Sequence, residues 1–264
     1  MIGGSLLLAL AVGARGPRGE LRALCTVRGT RRAGLVLAAV SVGGYQLAFF
    51  SAVRLTGVAI GTVVAIGSAP VLTGLISRLT GGPPLSRRWM AATVGAVTGC
   101  AVLVTSGSAA GVNLPGVGLA VTAGLCYAVY VVSAARLISA GIGERAVMGA
   151  LFGGAAVLLA PVLLAGAPGW LLTARGLAVA GYLGVVTTAV AYLLYGRGLR
   201  SVPAPVAVTL GLAEPVVATL LALIVLGERL TPAAAAGAVL VGLALAVLVV
   251  PLPGRRGDTA AGAS

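Results

Sequence analysis

Apolar stretches about twenty residues long follow one another along almost the whole chain, and the turns between them hold nearly all of its charge. A helix of that length crosses the hydrocarbon core of a bilayer, so the pattern commits the chain to lipid. With 59% hydrophobic and 9% charged residues, and a mean hydropathy of +1.11, a soluble globule could not hide the apolar surface. Nor do the short turns leave room for a separate soluble domain. The expected fold is all-α, a polytopic membrane protein.

Spans are expected over 33–53, 57–77, 90–107, 116–135, 146–166, 176–196, 203–226 and 232–250. Residues 1–13 are apolar but too short to span, and read as the end of a span whose beginning is absent, with a signal peptide the weaker alternative because no basic n-region precedes them. Breakers punctuate the turns: Gly81-Gly82-Pro83-Pro84, Asn113-Leu114-Pro115, Pro168-Gly169 and Pro203-Ala204-Pro205. Thr231 before Pro232 forms an N-cap and first-turn proline for the last helix.

The net charge of +13 raises the question of a nucleic-acid partner. Its distribution answers otherwise. Arg15, Arg18, Arg22, Arg28, Arg31, Arg32, Arg78, Arg87, Arg88, Arg136, Arg145, Arg197, Arg200, Arg255 and Arg256 gather on one side of the spans, against Arg54, Arg175 and Arg229 on the other. That asymmetry is the positive-inside pattern, and it places the C-terminus in the cytoplasm of a multi-pass protein of the cell membrane. No nucleic acid is expected as a partner. Arginine without any lysine or histidine points to a GC-rich bacterial gene.

Catalytic chemistry finds little material. The chain has no His, and its single Asp, Asp258, lies in the tail. Histidine-based triads, HExxH and Asp-rich metal sites are therefore absent, and no P-loop occurs. Cys25, Cys100 and Cys126 are far apart and read as packing residues. No cofactor, metal or enzymatic activity is expected.

Sliding the sequence along itself by 145 residues lays 58–104 over 203–249 without a gap. Pro70 then meets Pro215, Val71 meets Val216, Gly82 meets Gly227, Leu85 meets Leu230, and Ala101-Val102-Leu103-Val104 meets Ala246-Val247-Leu248-Val249. An odd number of spans separates matched helices, which reverses their direction, so the copies form an inverted repeat. The expected units are 1–107, a first copy lacking its first helix and part of its second; 116–250, a full second copy; and 251–264, a cytoplasmic tail.

Glu214 is the only acid inside an expected span, about midway along 203–226. An ionised carboxylate at that depth costs about 2.5 kcal/mol or more, which favours a cavity, a polar partner or a proton. Substrate contact and proton coupling are the functional readings, against a structural acid bonded to neighbouring helices. Its repeat partner is Ala69, so the acid is unique while Pro70 and Pro215 form a duplicated pair suited to a hinge. Tyr45, Gln46, Ser68, Tyr127, Tyr130, Tyr192 and Thr209 are candidate lining residues of a midplane cavity, with Thr187, Thr188 and Tyr195 beside them. Tyr127/Tyr130 and Tyr192/Tyr195 are each spaced to share one helix face. GxxxG pairs at Gly57/Gly61, Gly95/Gly99 and Gly149/Gly153 read as packing, with a homodimer as the other option.

These segments resemble the EamA family of the drug/metabolite transporter superfamily. The resemblance rests on Ala213-Glu214-Pro215-Val216, Leu226-Gly227-Glu228-Arg229-Leu230-Thr231, Leu125-Cys126-Tyr127-Ala128-Val129-Tyr130, and Ala52-Val53-Arg54-Leu55-Thr56 followed by Ser68-Ala69-Pro70-Val71. It implies a carrier of five plus five helices that exports or exchanges small metabolites through a cavity between its repeats. Against that pattern the first helix is missing, and the first copy lacks the Gly-Glu-Arg turn. A misplaced start, a fragment and a genuine loss are the three explanations. The expected function is secondary active transport of metabolites or drugs by alternating access, with efflux as the direction. A truncated, non-transporting paralogue or partner subunit is the alternative, and an intramembrane enzyme the remote one.

Overall fold

The structure, a computed structural model, describes residues 4–7, 29–105, 113–166, 169–226 and 231–250. Within them the chain is helical without strands. Its helices are α1 (Thr30–Thr56), α2 (Val58–Leu79), α3 (Arg87–Thr105), α4 (Leu114–Ser139), α5 (Glu144–Ala165), α6 (Ala174–Gly184), α7 (Ala191–Gly198), α8 (Ala204–Leu210), α9 (Glu214–Leu226) and α10 (Pro232–Val249). A π-helical turn, Val185–Val190, joins α6 to α7, and a 3-10 turn, Gly211–Ala213, joins α8 to α9. Among the described residues eight stretches are long and apolar enough to cross a membrane. The fold is an all-α polytopic membrane bundle.

Local chemistry accounts for the helix ends. Gly57, at φ 81°, turns α1 directly into α2 in a conformation that residues with a Cβ rarely adopt. Asn113 accepts a hydrogen bond from the Gly116 N–H at 3.0 Å, and Thr231 accepts one from Ala234 at 3.1 Å, each ahead of a first-turn proline. Leu37, Phe50, Leu75, Leu177, Leu183 and Leu221 remain exposed, as side chains facing lipid do. The stretch Ala174–Gly198 is the least buried of the eight.

Small residues set the packing. The main interfaces are α1 on α4 and α5, α2 on α4, and α3 on α10. A Cβ on Gly237 would lie 2.5 Å from the Leu103 nitrogen, and one on Gly99 would lie 2.8 Å from the Val241 nitrogen, so α3 and α10 touch backbone to backbone. Farther along, Gly95 faces Ala244, and the Arg88 guanidinium donates to the carbonyls of Val247, at 2.5 Å, and Val250. Descending numbers on α3 meet ascending numbers on α10. The two helices are thus antiparallel, and they are the pair that the 145-residue match equates. Lipid offers little hydrophobic drive between helices, so such close approach supplies the cohesion instead.

Candidate functional site

A cavity of about 370 Å³ lies where helices of both sequence copies meet. Its wall takes Tyr45 and Phe49 from α1, and Thr62, Ala65, Ile66 and Ala69 from α2. From the other copy come Tyr127 of α4, Tyr192 of α7, Val208 of α8, Gly211 of the 3-10 turn and Glu214 of α9. Among the described residues, Glu214 is the only charged one on this wall.

Two helix irregularities form the second-copy side. The α8–α9 span loses its regular ladder at Gly211–Ala213, and Glu214-Pro215 opens α9 near the middle of the stretch from Ala204 to Leu226. Leu210, Gly211 and Glu214 all keep right-handed helical angles, so the segment tightens without leaving the helix. In the first copy, by contrast, Pro70 sits inside the unbroken helix α2. The span before α8 widens into its π turn, where the hydroxyls of Thr187 and Thr188 donate to the same Leu183 carbonyl at 2.7 and 2.9 Å. Ala191 and then Tyr192 follow that turn. A π turn shifts the face on which subsequent side chains project, and such turns are common at functional sites.

An aromatic chain lines the interior. Ring centroids run from Phe49 to Tyr45 at 5.5 Å, Tyr45 to Tyr127 at 5.9 Å, Tyr127 to Tyr130 at 4.9 Å, Tyr130 to Phe152 at 6.1 Å, Phe152 to Tyr192 at 4.0 Å, and Tyr192 to Tyr195 at 6.2 Å. These spacings match stacked and edge-to-face contacts. Tyr45 and Tyr192 also border a smaller void of about 80 Å³, shared with Gln46, Tyr130, Phe152 and Thr188. The pair therefore stands between two spaces. The buried hydroxyls of Tyr130 and Tyr195 meet no partner in hydrogen-bond geometry, although both lie near the phenols of Tyr127 and Tyr192.

Two acids fall among the described residues. Glu144 pairs with Arg200 at 3.5 Å at a helix end. Glu214 makes no hydrogen bond or ion pair with another described residue, is exposed to the cavity, and acts electrostatically on Tyr45, Tyr127, Tyr192 and Cys100. A third space, of about 490 Å³, is lined by Arg136 and Arg200 with Ser77, Ser139 and Ser201 at the arginine-bearing ends of the helices.

Of the sequence candidates, Tyr45, Tyr127, Tyr192 and Glu214 share the larger cavity, while Gln46 and Tyr130 border the smaller one. Two others lie in helix interfaces. The Ser68 hydroxyl donates to the Ala65 carbonyl at 3.1 Å and abuts Gly124 of α4. Fully buried Thr209 donates to the Pro205 carbonyl at 2.9 Å and accepts from Trp89 Nε1 at 3.1 Å, with Thr93 also at 3.1 Å. Phe49 and Thr62 line the cavity without having been singled out. Phe49 carried a readable signal, since it follows Tyr45 by four residues on one helix face; Thr62 carried none. The Gly227–Leu230 turn with Glu228 and Arg229, most of the 1–13 stretch, Arg15 to Arg28 and the 251–264 tail lie outside the described residues.

The described helices thus form a membrane-spanning bundle around an internal cavity. The profile of the EamA-like transporter family matches residues 114–250. "Uncharacterized transporter YwfM" of Bacillus subtilis (strain 168) is 40% identical over 198 residues, covering 75% of this chain and 67% of that protein. "Threonine/homoserine exporter RhtA" of Escherichia coli (strain K12) is 32% identical over 208 residues, covering 76% of this chain and 66% of its own length. The alignments thus span about two thirds of each curated relative. A solved crystal structure superimposes with a TM-score of 0.75 over 94% of this chain and 84% of its own, at 21% identity, and so shares the fold. The chain belongs to the EamA-like transporter family. It is a membrane transporter of small molecules.

Proposed function

We propose that this chain is a secondary active carrier that moves small metabolites outward across the cytoplasmic membrane by alternating access. The observation that carries the reading is the cavity of about 370 Å³ between the two sequence copies, with Glu214 as the only charge among the described residues on its wall. Its volume falls in the range of about 300–1,000 Å³ that small-molecule sites occupy. Rocking one copy against the other, about the antiparallel α3–α10 contact, would present the cavity to each side in turn. The similarity to a protein named as an exporter supports the outward direction. The α8–α9 span tightens into a 3-10 turn ahead of Glu214-Pro215, whereas α2 stays α-helical through Pro70.

Glu214 is the group suited to couple transport to protons, with Tyr45, Tyr127, Tyr192 and Cys100 as its titratable neighbours. The test uses a strain lacking the gene, complemented with the full chain and challenged with a panel of metabolites and their toxic analogues. Complementation should raise tolerance and extracellular accumulation of the cargo. The variant Glu214→Gln should lose the pH dependence of export. Export by that variant with an unchanged pH profile would remove Glu214 from the coupling step, and a panel without any exported compound would overturn the carrier reading.

A further inference from the structure

The wall of the cavity of about 370 Å³ constrains the charge and shape of its ligand. Glu214 brings one carboxylate, and among the described residues no arginine stands on the wall to oppose it. Every described arginine occurs at or near a helix end: Arg54 ends α1, Arg78 ends α2, Arg136 ends α4, Arg197 ends α7, and Arg87 and Arg88 begin α3. A ligand carboxylate or phosphate entering this space would meet a like charge and find no cationic partner. A zwitterion would have one half satisfied. A monocation would have its charge neutralised where an unpaired carboxylate is otherwise expensive.

Four rings complete the environment. Tyr45, Phe49, Tyr127 and Tyr192 come from three different helices and border the same space as Glu214. Their faces carry the negative quadrupole that attracts ammonium groups within about 6 Å, and they are flat partners for an apolar or aromatic body. Thr62 is the remaining polar side chain on the wall, able to accept one N–H.

Resting on the carrier reading above, we propose that the cargo is an organic amine: a monocation with an apolar or aromatic body, its ammonium paired with Glu214 and packed against the tyrosine and phenylalanine rings. This departs from the amino-acid cargo named for the Escherichia coli relative, because among the described residues the wall offers no cationic partner for an amino acid's carboxylate. Phenolic hydroxyls give a primary amine two or three hydrogen-bond acceptors, and the rings alone suffice for a quaternary one.

The test measures binding and flux separately on the full chain in lipid nanodiscs and proteoliposomes. The probes are 2-phenylethylammonium, its N-trimethyl derivative, 2-phenylethanol, 3-phenylpropanoate and phenylalanine. Both cations should bind at least about tenfold more tightly than the alcohol, and phenylpropanoate and phenylalanine more weakly than either cation. In Glu214→Gln the ratio of amine to alcohol affinity should collapse towards one. That ratio is read within one preparation, so partial loss of folded protein cannot mimic the result. Phe49→Leu and Tyr45→Leu should weaken the trimethylated probe about three- to tenfold while sparing the carboxylate. Equal affinity for alcohol and amine, tighter binding of phenylpropanoate or phenylalanine, an amine preference that survives Glu214→Gln, or no amine binding at millimolar concentration would each overturn the proposal. Flux of other metabolites without amine selectivity would leave the carrier reading standing and this inference refuted. Glu214-dependent amine binding without flux would do the reverse.

Discussion

Side chains of similar chemistry have quite different tasks in this interior. Glu144 and Glu214 are both acids, yet Glu144 pairs with Arg200 where water and headgroups are near, and Glu214 stands alone on a cavity wall in mid-span. Thr62 faces the same cavity, whereas Thr209 ties α8 to α3 through Trp89 and Thr93. Thr209→Val should therefore reduce stability by about 1–2 kcal/mol, because it strands the indole N–H and a hydroxyl in an apolar interface. A thermal unfolding series in detergent reads this as a lowered midpoint, with amine affinity unchanged. The sequence exposed Glu214 readily, since a lone charge inside an apolar run needs no partner to be noticed. It could not separate Thr62 from Thr209, because a threonine's task depends on what the neighbouring helix places opposite it.

Helix type and extent were legible, while helix continuity was not. The expected spans 57–77 and 203–226 each carry a matched proline, and the sequence treats the two prolines alike. In the fold α2 runs straight through Pro70, and α8–α9 tightens into a 3-10 turn ahead of Glu214-Pro215. Proline forbids one hydrogen bond in either case, but whether the ladder breaks depends on how the freed groups are accommodated by surrounding helices. Pro215→Ala should slow maximal flux several-fold with little loss of ligand affinity, and Pro70→Ala should change flux less; initial-rate measurements in proteoliposomes compare them. The π turn at Val185–Val190 left no readable mark in the sequence, and Tyr192 lies just past it, after Ala191. Elsewhere on this scale, Gly237→Ala should be severe for a single methyl. Its obstacle is the backbone of α3 rather than a side chain able to swing away, so a destabilisation of about 1–3 kcal/mol is expected, visible as earlier thermal aggregation.

Across the molecule, the internal match and the arginine asymmetry make a joint statement about topology. Copies related by inversion must place equivalent helices antiparallel, and α3 and α10 are antiparallel along their shared glycine contact. The arginine distribution further predicts that the C-terminus faces the cytoplasm. A C-terminal green fluorescent protein fusion should fluoresce and a C-terminal alkaline phosphatase fusion should stay inactive; the opposite pair of results would invert the topology.

By itself the sequence determined that this chain lives in a membrane and where its helices lie, and it pointed to a unit present twice and to one acid at membrane depth. Those conclusions follow from local hydrophobicity, self-similarity and the high cost of charge in lipid, which need no knowledge of neighbours. The tertiary structure decided which polar residues border a common space, where a helix tightens, and that Glu214 shares its cavity with four aromatic rings and, among the described residues, no arginine. These depend on contacts between segments more than a hundred residues apart, and no local pattern encodes which side chain a distant helix will bring to meet them.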